Sequence, residues 1–280
     1  MTILVTGATG NVGRNVVHGL VRAGVRVRAL TRNPAFPFPD DVEVVVGDLA
    51  RPETVAPALA GVHALYLFPL AYLKPELSSF DDVITTEAIV GLAAAAGVRR
   101  VVMLGSSDPD FVHLERVVEG SGMAWTILRP GEFAVNKLNY WAPSIRAEGV
   151  VRTAYAEARG TPIHEADIAD VAVAALLSDG HAGRHYELTG PQALTLREQV
   201  AAIAAGCGRE IRLEQVSHER ERAAMIDAGM PEVVVDEMIL WYPANYAELM
   251  PPVSSAVREV TGHPGRTLAE WAADHAEEFR

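Results

Sequence analysis

Thr6-Gly7-Ala8-Thr9-Gly10-Asn11-Val12-Gly13 decides the reading of this 280-residue chain. The stretch has the form GxxGxxG, follows a short apolar run that starts at Ile3, and opens a segment in which Val12, Val16, Val17, Leu20 and Val21 recur at helical spacing. A glycine triplet alone is weak evidence, since a plain strand-to-helix turn also uses glycine. Strand, glycine turn and helix in succession are the setting in which such a triplet holds a pyrophosphate. In that setting Gly7 permits the tight turn and Gly10 clears the place where the anion approaches the backbone. Gly13 lets the helix pack closely while its amides face the anion.

Outward from this turn the same rhythm continues. Gly24 closes the helix, residues 25–30 and 42–46 read as strands, and Gly47-Asp48 follows the second of these. Strands at 64–68, 101–104 and 125–128 alternate with helices at 79–96 and 111–119. The strands are too apolar for a half-exposed sheet, so the expectation is α/β: a Rossmann-type doubly wound parallel sheet covered on both faces. Beyond Arg129 a polar-aromatic stretch at 131–141 precedes a helix at 167–177 and a strand at 185–188. Helices follow at 196–205, 219–228, 231–249 (one or two) and 267–279, the last with Leu268, Trp271, Ala272 and Phe279 on one side, and residues 211–216 read as a strand. Pro251-Pro252 and His263-Pro264-Gly265 mark turns. The expected division is a nucleotide-binding core at 1–135 plus 150–190, and a smaller, mostly helical substrate lobe at 136–149 plus 191–280.

Composition narrows the function. Hydrophobic residues are 49% and charged residues 21%, which excludes bulk disorder, and the net charge of −12 repels a phosphate backbone, so nucleic acid is not an expected partner. A lone cysteine, Cys207, forms no internal disulfide and no structural zinc site. No apolar window approaches the roughly 20 residues of a membrane span and the start has no basic leader, so a cytoplasmic protein without membrane attachment is expected.

The nucleotide is read from the end of the second strand. There, about 20 residues past the glycines, an acid would hold a ribose 2′-hydroxyl. Arg32 occupies the place, within Thr31-Arg32-Asn33-Pro34, and its guanidinium suits a 2′-phosphate, so NADP(H) is expected over NAD(H). The plainer alternative is a solvated loop charge. Asp48 and Leu49 are placed to border the adenine, with a simple turn role for Asp48 as the alternative.

These residues resemble the atypical short-chain dehydrogenase/reductase superfamily, and within it the NmrA-like group that includes NADPH-dependent quinone reductases. The matching pieces, in family order, are TGATGNVGR at 6–14, TRNP at 31–34, GDL at 47–49, LGSS at 104–107, SGMAWTILRPGEF at 121–133 and HEADIADVAVAAL at 164–176. The C-terminal third matches in character only. The resemblance implies a Rossmann core, bound NADP(H), and a cleft between core and lobe for a small hydrophobic, aromatic or quinone-like substrate. It assigns cofactor contact to Gly7, Thr9, Gly10, Asn11, Val12, Gly13, Arg32, Asp48, Leu49, Phe68 and Pro69. Ser106, Leu128, Pro130 and Phe133 would border the nicotinamide.

One departure from the superfamily concerns its proton donor, a tyrosine with a lysine four residues later. The chain has two lysines: Leu70 stands four before Lys74 and Phe133 four before Lys137, so the pair is absent by residue type. Two readings remain open. Either hydride passes directly to an acceptor that takes its proton elsewhere, or the chain is a catalytically silent NADP-binding redox sensor that acts through a protein partner, as likeness to NmrA itself implies. His113 is a stand-in proton donor under the first reading; a solvated helix face shared with Glu115 is the alternative. Glu132 and Asn136 could orient a substrate carbonyl. Tyr72, Trp141, Trp241 and Tyr242, with Tyr140, Met238 and Tyr246 near them in sequence, could line an apolar pocket or simply fill the lobe core. His164-Glu165-Ala166-Asp167 looks metal-like but reads better as a helix start with Asp167 as N-cap and Asp170 in the first turn, so no metal is expected.

Overall fold

In the computed structural model the chain begins with β1 (Thr2–Val5), a strand buried throughout. The structure describes residues 1–69, 79–106, 111–227, 229–233, 235–236 and 253–280, the side chains of 79–83 excepted. After the glycine turn comes α1 (Asn11–Arg22), which buries Val12, Val16, Val17 and Leu20. The order continues with β2 (Arg26–Thr31), β3 (Val42–Val46), β4 (Ala64–Leu67), α2 (Ser79–Ala95), β5 (Arg100–Leu104), α3 (Val112–Glu119) and β6 (Ala124–Pro130). Then follow α4 (Lys137–Tyr140), α5 (Ala142–Glu148), β7 (Val150–Thr153), β8 (Arg159–Gly160), α6 (Glu165–Leu177) and β9 (Arg184–Leu188). The last labelled elements are β10 (Leu194–Thr195), α7 (Leu196–Cys207), β11 (Arg212–Gln215) and α8 (His218–Asp227), with further helices at Ala256–Thr261 and Leu268–Asp274.

Seven strands form one parallel sheet in the order β3-β2-β1-β4-β5-β6-β9. The order reverses at β1, which has β2 on one side and β4 on the other, so the expected doubly wound Rossmann-type sheet is present. In such sheets ligands bind beyond the carboxyl ends of the strands at the reversal. The glycine turn leaves β1 at that point. The central strands are apolar at successive positions because both faces are covered. Leu4, Leu65, Leu67, Val101, Met103 and Ile127 pack with Ile89, Val90 and Ala93 of α2 and Leu114 and Val118 of α3. The alternating Ile3, Val5, Tyr66 and Val102 are equally buried. α1 and α6 meet closely: a Cβ on Gly19 would lie 2.8 Å from Cγ2 of Val173. The edge strand β3 departs from the expectation of full burial, with Val44 and Val46 exposed, because an edge has a neighbour on one side only.

The chain divides into two compact units: Met1–Gly131, Glu165–Leu188 and Ala256–His263 form the first, and Glu132–His164, Thr189–Ser255 and Pro264–Arg280 the second. Residues 150–164 thus fall in the second unit, where β7 pairs in parallel with β11 and β8 pairs antiparallel with β10. The core of this unit gathers Val135, Ile145, Val151, Val200, Ile203 and Trp271. α7 and the Leu268–Asp274 helix pack together, and each starts on a capping box, Thr195 with Glu198 and Thr267 with Glu270. The helix expected over 267–279 breaks at His275, and its last turn is a 3-10 turn, Ala276–Phe279. The Phe279 ring meets Trp271 edge-on at 5.9 Å. α6 starts two residues earlier than expected, so Asp167 is not the N-cap. It lies fully buried in the first turn, where the helix dipole favours an acid. Most of the helical expectation over 231–249 lies outside the described residues. No helix among the described residues is long and apolar enough to cross a membrane.

Candidate functional site

The site is built from the turn after β1. Thr6 fixes it: its hydroxyl accepts from the Phe68 N–H at 2.7 Å and donates to the Tyr66 carbonyl at 3.1 Å, so the end of β4 is tied to the start of the turn. Gly7 adopts φ 59°, a region that side chains disfavour, and a Cβ there would also lie 2.9 Å from the Phe68 ring. The Gly10 N–H donates to the Gly7 carbonyl at 2.9 Å, closing the turn, and the first α1 bond runs from Arg14 N–H to the Gly10 carbonyl at 3.0 Å. The amides of Asn11, Val12 and Gly13 precede that bond and have no carbonyl within the helix to reach. Gly10, the N-cap, brings no side chain to satisfy them. Gly13 sits so close beneath the turn that a Cβ would lie 2.1 Å from the Gly7 carbonyl oxygen.

A pocket of about 130 Å³ opens here, lined in part by Gly7, Thr9, Gly10, Arg32, Asp48, Leu49 and Phe68. Those seven expected cofactor positions, far apart in sequence, are thus brought together. Leu30, Thr31 and Gly47 also line it. They went unassigned in the sequence, although their position at strand ends beside Arg32 and Asp48 is a usable signal. Arg32 is exposed, and among the described residues no acid pairs with its guanidinium. Asp48 has the turn role, its Oδ1 accepting from the Ala50 N–H at 3.0 Å, and it also lines the pocket. Pro69 is buried just beyond β4. Of the residues expected near the nicotinamide, Ser106 is half-buried after β5, while Leu128 and Pro130 are buried in β6. The Gly105 N–H donates to the Leu128 carbonyl at 2.7 Å and holds these two strand ends together.

The sequence missed a buried ion pair next to them. Glu115, taken with His113 as a solvated face, is 2% exposed, and its carboxylate is held by Arg129 of β6 through both oxygens, one at 3.0 Å from Nε. Arg129 also reaches Glu187 at 3.2 Å, and these carboxylates, Glu115 first, hold its guanidinium well above its ordinary pKa. His113 itself is exposed on α3. A carboxylate and a guanidinium 14 residues apart give no local pattern, since a helix and a strand must first be packed before they meet.

In the second unit, Glu132 has one carboxylate oxygen engaged and the other, Oε2, buried without a hydrogen-bond partner. Its Oε1 accepts from the buried ammonium of Lys137, which also lies 4.7 Å from the centre of the Trp141 ring. Phe133 is half-buried and bridges to Ile163, whereas Asn136 is exposed ahead of α4. Trp141 packs partly on the core of the unit and Tyr140 is exposed. Tyr72, Trp241 and Tyr242, with Met238 and Tyr246, lie outside the described residues. His164, from the metal-like stretch, is buried with Nε2 3.3 Å from Asp274. Among the described residues no group of three or more His, Cys, Asp or Glu could hold a metal.

Glu221 of α8 is nearly buried, accepting from the Ala154 N–H at 2.7 Å, and its burial pushes its carboxyl pKa above the ordinary 4.5. An acid whose folded pKa is raised favours the fold while protonated and loses that contribution as pH rises through the folded value. Glu221→Gln, which keeps an acceptor for Ala154, is therefore expected to gain stability relative to the parent as pH rises above the ordinary carboxyl value of 4.5. Chemical denaturation at pH values on either side of 4.5 checks this; a stability difference independent of pH would refute it.

The turn fits a dinucleotide. A Cβ on Gly10 would find only the Gly7 carbonyl oxygen within 4 Å, at 3.2 Å, so the space over the α1 amides is open to an anion that a larger residue would displace. A family model described as NAD(P)H-binding matches residues 7–112. A (4-alkanoyl-5-oxo-2,5-dihydrofuran-3-yl)methyl phosphate reductase of Streptomyces griseus is 38% identical, over 99% of this chain and 99% of its own length. A NAD(P)H azoreductase of Xenophilus azovorans is 37% identical over the same shares, 99% and 99%. The triphenylmethane reductase of Citrobacter sp., solved with NADP(H), has the same fold, with a TM-score of 0.80 at 24% identity over 99% of this chain and 100% of that one. Fold, turn and relatives together define an NAD(P)H-dependent oxidoreductase. Within that class the chain belongs to the NmrA-like group of atypical short-chain dehydrogenases/reductases.

Proposed function

We propose that the protein is an NADPH-preferring reductase that passes hydride directly to a hydrophobic, aromatic or quinone-like carbonyl acceptor, without a tyrosine–lysine pair. The observation that carries this reading is the state of Lys137: its ammonium is buried against Glu132, and the residue four before it is a phenylalanine. Such an acceptor needs no side-chain acid of matched pKa, because the reduced form can take its proton from water. The relatives named for an azo and an oxo-dihydrofuran substrate support a conjugated acceptor of this kind.

Bound NADPH supplies the hydride. In this reading the chain's own work is to bind, orient and keep water out. The amides of Asn11 to Gly13 hold the diphosphate, Arg32 pairs with the 2′-phosphate, Asp48 and Leu49 border the adenine, and Phe68 and Pro69 flank the path toward Ser106 and Pro130. No proton transfer is assigned to the exposed His113.

Titration with NADPH and NADH, followed by the loss of reduced-nicotinamide absorbance against a panel of quinones, tests the reading. Tight NADPH binding with no turnover of any acceptor would favour the sensor reading. Arg32→Asp is expected to weaken NADPH by about 10- to 100-fold while sparing NADH, since it removes a charge-assisted fork and adds a repelling carboxylate. An unchanged ratio of the two affinities would remove the argument for NADPH.

A further inference from the structure

We propose that the second unit carries a ligand site of its own, which binds planar aromatic acids. The site is a cleft of about 400 Å³, and every described residue that lines it belongs to the second unit. That volume is in the range of small-molecule sites, roughly 300–1,000 Å³. Its apolar lining includes Tyr140, Trp141, Met225 and Met230. Two aromatic faces suit a flat ring system, and two methionines adapt to rings of different outline while making favourable sulfur contacts with them.

The charged groups at the cleft select the sign of the ligand. Arg152 is committed: it pairs with Glu148 and, at 3.0 Å, with Glu214. Glu214 gives Oε2 to Arg152, and its Oε1 stands 4.0 Å from Nη1 of Arg220, a long ion pair without a hydrogen bond. Glu221, the acid in the lining, is buried and turned to Ala154 N–H at 2.7 Å and Thr153 Oγ1 at 3.4 Å, and no ion pair joins it to Arg220 among the described residues. Arg220, 64% exposed, therefore keeps its N–H donors available beside an apolar cleft. A carboxylate or sulfonate on the ring system would take them in a charge-assisted pair. Binding here does not depend on the identity of the reductase acceptor.

The test uses the full chain with saturating NADP⁺, so that the dinucleotide turn is filled, and 8-anilinonaphthalene-1-sulfonate as probe, read by its fluorescence and by quenching of tryptophan emission. Its neutral counterpart, N-phenyl-1-naphthylamine, serves as the second probe. The sulfonate is expected to bind one to one. Ala224→Trp, which puts a bulky ring into the cleft from an exposed position, is expected to weaken both probes at least about tenfold. Arg220→Glu is expected to weaken the sulfonate by about tenfold or more and to leave the neutral probe within about twofold. Both variants should keep the parent's melting temperature and NADPH affinity. Failure of the sulfonate to bind, or binding that ignores Ala224→Trp, would overturn the site, and equal effects of Arg220→Glu on both probes would overturn its preference for an acid.

Discussion

Gly13→Ala is expected to abolish measurable NADPH binding and to cost more than about 3 kcal/mol of stability, the upper end of what overpacking does to a close-packed core. The added methyl carbon would start 2.1 Å from the Gly7 carbonyl oxygen, 2.8 Å from its carbon and 3.1 Å from the Ala8 Cα. All three are backbone atoms, so no rotamer change relieves the clash. Either α1 moves away from the turn or the turn opens, and in both cases the amides of residues 11–13 no longer converge on one anion. Denaturant unfolding and cofactor titration read the two effects separately. A variant with the parent's midpoint and affinity would show that the turn is far softer than the tight stacking of Gly13 on Gly7 implies. By contrast Gly10→Ala, with its single neighbour at 3.2 Å, should spare stability while still impairing the cofactor.

Arg129→Met carries the second large effect. It leaves the Glu115 carboxylate, 2% exposed, without the guanidinium that holds both its oxygens. Removing one partner of a buried pair costs about 3–5 kcal/mol, chiefly because the other charge stays behind. His185, at 3.8 Å from Glu115, is a distant substitute, and it already pairs with Glu119 at 3.0 Å. The double variant Arg129→Met/Glu115→Leu removes the stranded charge and is expected to regain most of the loss. Urea midpoints of the single and double variants give the comparison; a double variant no more stable than the single one would place the cost in lost packing by the arginine rather than in the stranded acid.

The contrast between these two sites also shows what the sequence makes legible. Gly7, Gly10, Arg32 and Asp48 were readable because the chemistry of each is fixed by its position relative to a strand end, and the strands announce themselves by apolar runs of 4–6 residues. Glu115 was not, because its burial follows from how α3 packs on β6, a long-range fact with no local periodicity. The same distinction explains β3, whose valines read as core although Val44 and Val46 face solvent at the sheet edge: hydrophobicity marks a strand without marking its place in the order. In the second unit β11 was readable within the run 211–216, whereas its four-residue partner β7, Val150–Thr153, is too short to stand out and is defined by the pairing with β11. Asp167 was placed correctly at a helix start but given the wrong role, since the chain enters α6 at Glu165.

The first unit is assembled from three separate stretches of chain, and this sets an order in time. During synthesis α1 leaves the ribosome long before α6, its packing partner at Gly19 and Val173, exists. β6 likewise waits for β9, its parallel neighbour. At ordinary elongation rates of about 5–20 residues per second, the apolar face of α1 stays uncovered for on the order of ten seconds. The nascent chain therefore holds a nearly finished nucleotide turn on a sheet that cannot yet close, and its yield in the cell is expected to depend on what shields that face in the interval.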